Sequence, residues 1–346
     1  MNTAENHKKL VFVTGADGLL GSNVVRELLK QGYKVRAMVQ KGRKAKTIRN
    51  LENVEIVYGD LLEPIKLVGL MKECDMVIHI AAFTASWPSR SRKFFKVNVE
   101  GTRNMIDAAL YRNIERFVYI SSSNTQGFTR SKKHPGNETT PWQGDQGMDY
   151  ALSKKEAHLM VDKAVEENGL PATIICPGFM FGPYDSGPTS GQLLIKAWHQ
   201  SIKFATKGGK NFVAARDVAT ATVNALKEDT IGETFICGNA NLTFKELFQM
   251  IEDVTGIPQP HTVVPAFLVN IAGFFMDLIS KVTHKQPMLS LPMAKNASER
   301  MYYGASKAVK KLNMPQTDLR TAIRETYQWF GKNGYLEDYE KHAIQK

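Results

Sequence analysis

Leu10-Val11-Phe12-Val13-Thr14-Gly15-Ala16-Asp17-Gly18-Leu19-Leu20-Gly21 is the stretch from which the fold can be read. The apolar run before Thr14 predicts a buried strand. From Leu19 to Lys30 the apolar positions Leu20, Val24, Val25, Leu28 and Leu29 recur at helical spacing, and Gly32 stands just past the end. Glycines between such a strand and helix permit a tight turn and let backbone approach a pyrophosphate, whose charge the helix N-terminus favours. A glycine motif alone is weak evidence; the strand before it and the helix after it make it specific. Thr14, Gly15, Asp17 and Gly18 are therefore expected at the phosphates of a dinucleotide, together with Leu19, Leu20 and Gly21.

Working outward, short apolar runs predict strands at Lys34–Val39, Val54–Tyr58, Met76–Ile80, Phe117–Ser121 and Thr173–Cys176. Helices are expected between Val97 and Tyr111 and from Tyr150 to Asn168. Alternating strands and helices imply an α/β fold: a Rossmann, doubly wound parallel sheet with helices on both faces. Residues 1–178 are read as the dinucleotide-binding domain. Glycine and proline loosen the pattern after Pro177, so 179–346 is read as a smaller α/β substrate-binding domain, with 212–238 returning to the first. Within that stretch lie a strand at Phe235–Cys237 and a helix over Thr243–Val254, capped by Thr243 with Glu246 three residues on.

The bulk properties narrow the class. A chain of 346 residues, 43% hydrophobic and 23% charged, has ample material for a core. The net charge of +11 favours anionic ligands or surfaces, but no zinc-finger, helix-turn-helix or aromatic RNA-binding signature accompanies it, so no nucleic-acid partner is expected. Cys74, Cys176 and Cys237 form neither a C-x-x-C pair nor a metal cluster, so no metal is expected, and each sits in an apolar run. A polar N-terminus, Met1 to Lys9, without a signal-peptide apolar region, points to the cytoplasm. The apolar stretch Val263–Val282 is interrupted by Pro265, Asn270, Asp277 and Lys281, so it is expected to cover the substrate entrance rather than to form an integral membrane segment.

The end of the second strand bears on the choice of cofactor. An acid there would bind ribose hydroxyls, whereas a 2′-phosphate calls for cations. The chain reads Gln40-Lys41-Gly42-Arg43-Lys44, with no acid and Lys41 or Arg43 able to pair with a phosphate. NADP(H) is therefore favoured, with NAD(H) possible. Asp60 and Leu61, after the third strand, are placed to meet the adenine end, and Ala81 and Ala82, after the fourth, leave room for a cofactor to pass.

Tyr150-Ala151-Leu152-Ser153-Lys154 puts a phenol and an ammonium four residues apart, on one face of the predicted helix. The ammonium is expected to lower the tyrosine pKa toward the working range. Upstream, a strand ends in Ser121-Ser122-Ser123. With Thr14–Gly21, Gly59-Asp60-Leu61, His79–Ala82, Asn98–Thr102, Pro177-Gly178, Phe181-Gly182-Pro183 and Arg216–Ala219, the sequence resembles the extended short-chain dehydrogenase/reductase, or NAD-dependent epimerase/dehydratase, family over nearly its whole length.

That resemblance implies an enzyme with Tyr150 as general acid/base and Lys154 on the nicotinamide ribose. It implies Ser123 on the substrate carbonyl, with Ser122 as the alternative, and Ser121 and Ser122 against the cofactor. It implies Asn98 bracing the cofactor-side backbone, Pro177 and Gly178 bordering the nicotinamide, and Thr84, Asn124, Phe179 and Met180 toward the substrate. A homodimer is common in the family. Where the dehydratases carry Asp-Glu stand Asn124 and Thr125, and Phe179 replaces an Asn typical of sugar-nucleotide epimerases. Phe181-Gly182-Pro183-Tyr184-Asp185 and Val263–Val282 look like the dihydroflavonol-reductase and hydroxysteroid-dehydrogenase branch. The expected reaction is carbonyl–secondary alcohol interconversion on a small, largely apolar substrate. The alternatives are a sugar epimerase and a non-catalytic NADP-binding regulator.

Overall fold

A computed structural model describes residues 9–85, 87–144, 147–227, 229–283, 287 and 289–341. Residues 1–8, most of the polar N-terminus, lie outside the described residues. Along the chain come β1 (Leu10–Thr14), α1 (Leu19–Lys30), β2 (Lys34–Gln40), β3 (Val54–Gly59), α2 (Pro64–Leu70), β4 (Met76–His79), α3 (Arg92–Phe95), α4 (Gly101–Tyr111), β5 (Arg116–Ile120), α5 (Asp149–Asn168) and β6 (Ala172–Pro177). The chain continues through β7 (Phe179–Phe181), α6 (Gln192–Trp198), β8 (Ala205–Thr206), β9 (Gly209–Ala214), α7 (Ala215–Asn224), β10 (Thr234–Cys237), β11 (Ala240–Thr243) and α8 (Phe244–Thr255). It closes with β12 (Val263–Val264), α9 (Ala266–Thr283), α10 (Leu291–Ser298), α11 (Ser306–Lys311) and α12 (Leu319–Lys332).

Seven parallel strands form one sheet in the order β10-β6-β5-β4-β1-β2-β3. Strand residues alternate between its faces, because successive side chains point oppositely. Val11 and Val13 of β1 pack into the core under α1 and α7, whereas Phe12 packs into the core under α2, α4 and α5. The order reverses between β1 and β4, which opens a crevice at the carboxyl ends of the strands, where open α/β sheets bind ligands.

A second sheet, β11-β9-β7, closes a third core with α6, α8 and α12 around Phe181, Phe212, Leu247 and Tyr327. The capping box expected at Thr243 and Glu246 starts α8. β10 lies beside β6 in the large sheet, and Ala308 and Leu312, around α11, also pack on that sheet's core. The chain therefore crosses between the two bodies more often than a single division at 178 with one return describes.

Two elements differ from expectation. The helix expected from Val97 to Tyr111 starts earlier, at Arg92, and passes through a π-helical turn at Lys96–Glu100 before α4. The stretch Val263–Val282 folds as β12 and then the single helix α9, and none of its described side chains lines the central cleft.

Candidate active site

A cleft of about 840 Å³ runs along the crevice at the ends of β1, β2, β4, β5 and β6. Its floor is the turn after β1. Gly15 has φ +64°, and a Cβ there would lie 2.9 Å from the Ala81 backbone. A Cβ on Gly21 would lie 2.1 Å from the Gly15 carbonyl, so α1 approaches the turn too closely for any side chain. No side chain caps α1 at Gly18, leaving its N-terminal amides as anion donors. Asp17, Leu19, Leu20, Ala81 and Ala82 also line the cleft.

Thr14 does not line it. Its hydroxyl accepts the Ile80 and Ala81 amides at 3.1 Å and meets His79 Nδ1 at 2.8 Å, so Thr14 fastens β1 to the Ala81 loop rather than facing a ligand. His79 bonds Thr102 through Nε2, and burial pushes its imidazole down to about 3, so it is neutral. Asn98 likewise works from behind. Held in the π-helical turn, it accepts the Phe83 amide at 2.7 Å and donates to the Phe83 carbonyl at 3.1 Å and to Ser153 Oγ at 3.0 Å.

At the other edge Gln40, Asp60 and Leu61 line the cleft, and Asp60 Oδ1 accepts the Leu62 amide at 3.0 Å. The amide of Arg43 donates to the Gln40 carbonyl at 3.1 Å, a turn that brings Arg43 back over the cleft, where Nε meets Asp17 Oδ2 at 2.7 Å. Lys41 is exposed and does not line the cleft. Of the two candidate phosphate cations, the fold brings Arg43 alone to the site.

Beside the ends of β5 and β6 the structure brings Ser121, Ser122, Tyr150, Lys154, Pro177, Gly178, Thr84 and Met180 together. The preferred serine, Ser123, is not among them. It begins a one-turn 3₁₀ helix capped by Ser122, and its hydroxyl acts on Tyr303. Ser122 instead hydrogen-bonds Tyr150. Asn124 also stays outside, its carbonyl accepting Trp142 Nε1 at 2.9 Å. Phe179 packs with Phe181 and Phe212 in the third core, 5.5 Å from each ring, and so does not reach the cleft.

The expected lowering of the Tyr150 pKa does not occur in this arrangement. Burial raises it, with the Ser122 hydrogen bond acting the other way, because the Lys154 ammonium is aimed elsewhere: it donates to the Ile120 carbonyl at 2.6 Å and lies 4.3 Å from the centre of the Tyr119 ring. Burial pushes Lys154 itself down to about 7.

Sequence reasoning missed Lys93 and Lys96, one helical turn apart, and the segment with Asp185, Gly187, Thr189 and Ser190, which line the cleft from the second body. That segment is tied to the glycine turn by Ser186 Oγ, which donates to the Asp17 carbonyl at 3.1 Å. Its only signal in the sequence is the glycine- and proline-rich run that ends at Gly191. The three cysteines are free and buried, and the described residues include no cluster able to hold a metal.

The model of the NAD dependent epimerase/dehydratase family matches residues 11–238. A putative dihydroflavonol 4-reductase of Synechocystis sp. is 30% identical over 332 residues, covering 94% of this chain and 96% of that protein. Sterol demethylase protein B of Methylococcus capsulatus is 27% identical over 332 residues, covering 94% and 99%. The crystal structure of gox2253 superposes with a TM-score of 0.84 at 30% identity, covering 95% of this chain and 100% of that one.

Proposed function

From the chain's membership of the NAD dependent epimerase/dehydratase family, we propose that it is an NADP(H)-dependent oxidoreductase that interconverts a carbonyl and a secondary alcohol on a small, largely apolar substrate. The observation that carries this reading is the convergence of Ser122, Tyr150 and Lys154 at one end of a cleft whose other end is a glycine cradle with an uncapped helix N-terminus. The cradle suits a dinucleotide, since a Cβ at Gly15 or Gly21 would close it, and Arg43 at the far edge suits a 2′-phosphate.

When bound, the nicotinamide supplies or accepts the hydride. The chain's own residues handle the oxygen. Tyr150, whose burial keeps the phenol protonated near neutral pH, delivers its proton from Oη to the carbonyl oxygen as charge grows there. Ser122 Oγ, beside Tyr150, holds that oxygen with a hydrogen bond. Lys154, whose Nζ donates to the Ile120 carbonyl at the end of β5, would hold the nicotinamide ribose with its remaining N–H groups. A protonated tyrosine is the form that the reductive step uses. Phe179, packed into an apolar core, supports a carbonyl substrate over a sugar nucleotide.

The test is a screen of ketones and aldehydes with NADPH, followed at the nicotinamide absorbance. Net cofactor consumption is expected, and on any substrate found Tyr150→Phe should lower turnover by about 10²–10⁴-fold while cofactor binding survives. Epimerisation without net consumption, or near-parent turnover by Tyr150→Phe, would overturn the reading.

A further inference from the structure

We propose that the outer face of α9 docks the protein on the surface of an anionic lipid bilayer. Eight of the fourteen exposed large hydrophobic residues among the described residues lie on this one helix. Phe267, Ile271, Phe274, Phe275, Leu278 and Val282 recur every three or four residues and form a single stripe along it. Phe267 is 62% and Val282 77% exposed, where singly scattered apolar residues need no explanation but a contiguous stripe does.

The helix is turned inside out. Its inward positions are Val269, Gly273 and Ser280, and a Cβ on Gly273 would lie 2.9 Å from that of Ala294 on α10. Small residues set α9 close on α10 and leave the large side chains outward. The acid of α9, Asp277, faces inward too, its carboxylate accepting the Leu291 amide at 2.9 Å. The outer face of the described helix therefore offers apolar surface without a carboxylate.

A bilayer surface fits this face better than a second copy of the chain. A second copy would bring the same net charge of +11 to the contact, whereas an anionic surface would oppose it. No described helix is long and apolar enough to cross a membrane, so α9 lies along the surface instead.

An exposed cation stands on the helix packed against it, as anionic headgroups favour. Lys295 is exposed on α10, and Gly147 lies against Pro292 of α10, leading into Asp149. Asp149 in turn holds the loop of Arg90 and Ser91, with exposed Arg92 next to it. The net charge of the whole chain is +11. This linkage joins the lipid-facing helix, through α10, to the turn that precedes Tyr150.

Flotation of the full chain with vesicles tests the inference without any turnover measurement, so it succeeds or fails apart from the proposed reduction. Vesicles of phosphatidylcholine alone are compared with vesicles containing phosphatidylglycerol, at low and high salt. The protein is expected to float with the phosphatidylglycerol vesicles, less so at high salt and less on phosphatidylcholine. Phe267→Ser, Phe274→Ser and Phe275→Ser together should weaken binding by at least about tenfold, with melting temperature and cofactor binding unchanged. Should the triple variant fold poorly, Phe274→Ser alone serves, with a smaller loss expected. Three results would overturn the inference: a protein that stays soluble with both vesicles, a variant that floats like its parent, or a dimer in sedimentation that the variant turns into monomer.

Discussion

Two adjacent hydroxyls are distinguished by where the backbone sends them. Ser122 is extended and caps the 3₁₀ turn, which leaves it facing Tyr150, while Ser123, inside that turn, faces Tyr303. Removing a donor aimed at a developing oxyanion costs about 10²–10³-fold in turnover. Ser122→Ala should lose that much and Ser123→Ala far less, with cofactor affinity unchanged in both; steady-state kinetics beside calorimetry checks this, and the reverse order would restore Ser123 to the relay. Arg43 is the second residue-scale determinant. It already pairs with Asp17 across the cleft, so a phosphate would share or replace that partner. Arg43→Ala should weaken NADP(H) binding by roughly tenfold to a hundredfold and leave NAD(H) nearly untouched, read by calorimetry with each cofactor. Equal losses for both would assign Arg43 to the pyrophosphate or to the fold.

At the scale of elements, the strands of the large sheet and α1 were legible because each carries its own periodicity and punctuation. β1 and α1 start and stop where the apolar run and Gly18 place them. The π-helical turn was not legible, because it exists for the sake of a contact distant in sequence: Asn98 must reach Phe83, fifteen residues away, and the helix widens to let it. The same reason hid the roles of Lys93 and Lys96, which reach the cleft from the helical turns leading to Asn98, and of Thr14, whose place at a glycine turn resembles a ligand contact but whose hydroxyl is spent on β4's loop. Phe179 was readable as apolar but not as a core residue, since its partner strand β9 lies thirty residues on. Asn98→Ala would leave both polar groups of Phe83 without their partner, at a cost of about 1–3 kcal/mol. Thermal unfolding should show that loss, and calorimetry should show weaker cofactor binding, because the Phe83–Ala85 wall of the cleft loses its brace. If stability falls with affinity intact, Asn98 serves the fold alone.

At the scale of the whole molecule, buried ionisable groups near the site make stability depend on pH in a predictable sense. His79 and His158 are both pushed down to about 3 by burial; hydroxyls of Thr14 and Thr102 hold the His79 ring, and His158 meets the Ser121 hydroxyl at Nδ1 and, at 3.4 Å from Nε2, the Asp162 carboxylate. In the unfolded chain their pKa is about 6.5. Between pH 6.5 and 3 the unfolded state therefore binds protons that the folded state refuses, so stability is intact above about 6.5 and is lost as pH falls. Each histidine contributes roughly 1.4 kcal/mol per pH unit within that window. Lys154, down at about 7 against an unfolded value near 10.5, acts in a separate window. From pH 7 to 10.5 the unfolded chain holds a proton that the folded one has released, so this contribution rises with pH. Lys154→Met removes a charge that is unfavourably buried below pH 7, and should raise stability most on the acid side of that value while removing the proposed hold on ribose. Urea midpoints measured from pH 5 to pH 9 should therefore climb in the parent, most steeply below 6.5, and His158→Asn should take about half of that acid slope away without touching the alkaline one. A midpoint flat between pH 5 and 6.5 would mean that the two imidazoles gain protons without unfolding the chain, and that the hydroxyl network behind the cleft opens to water.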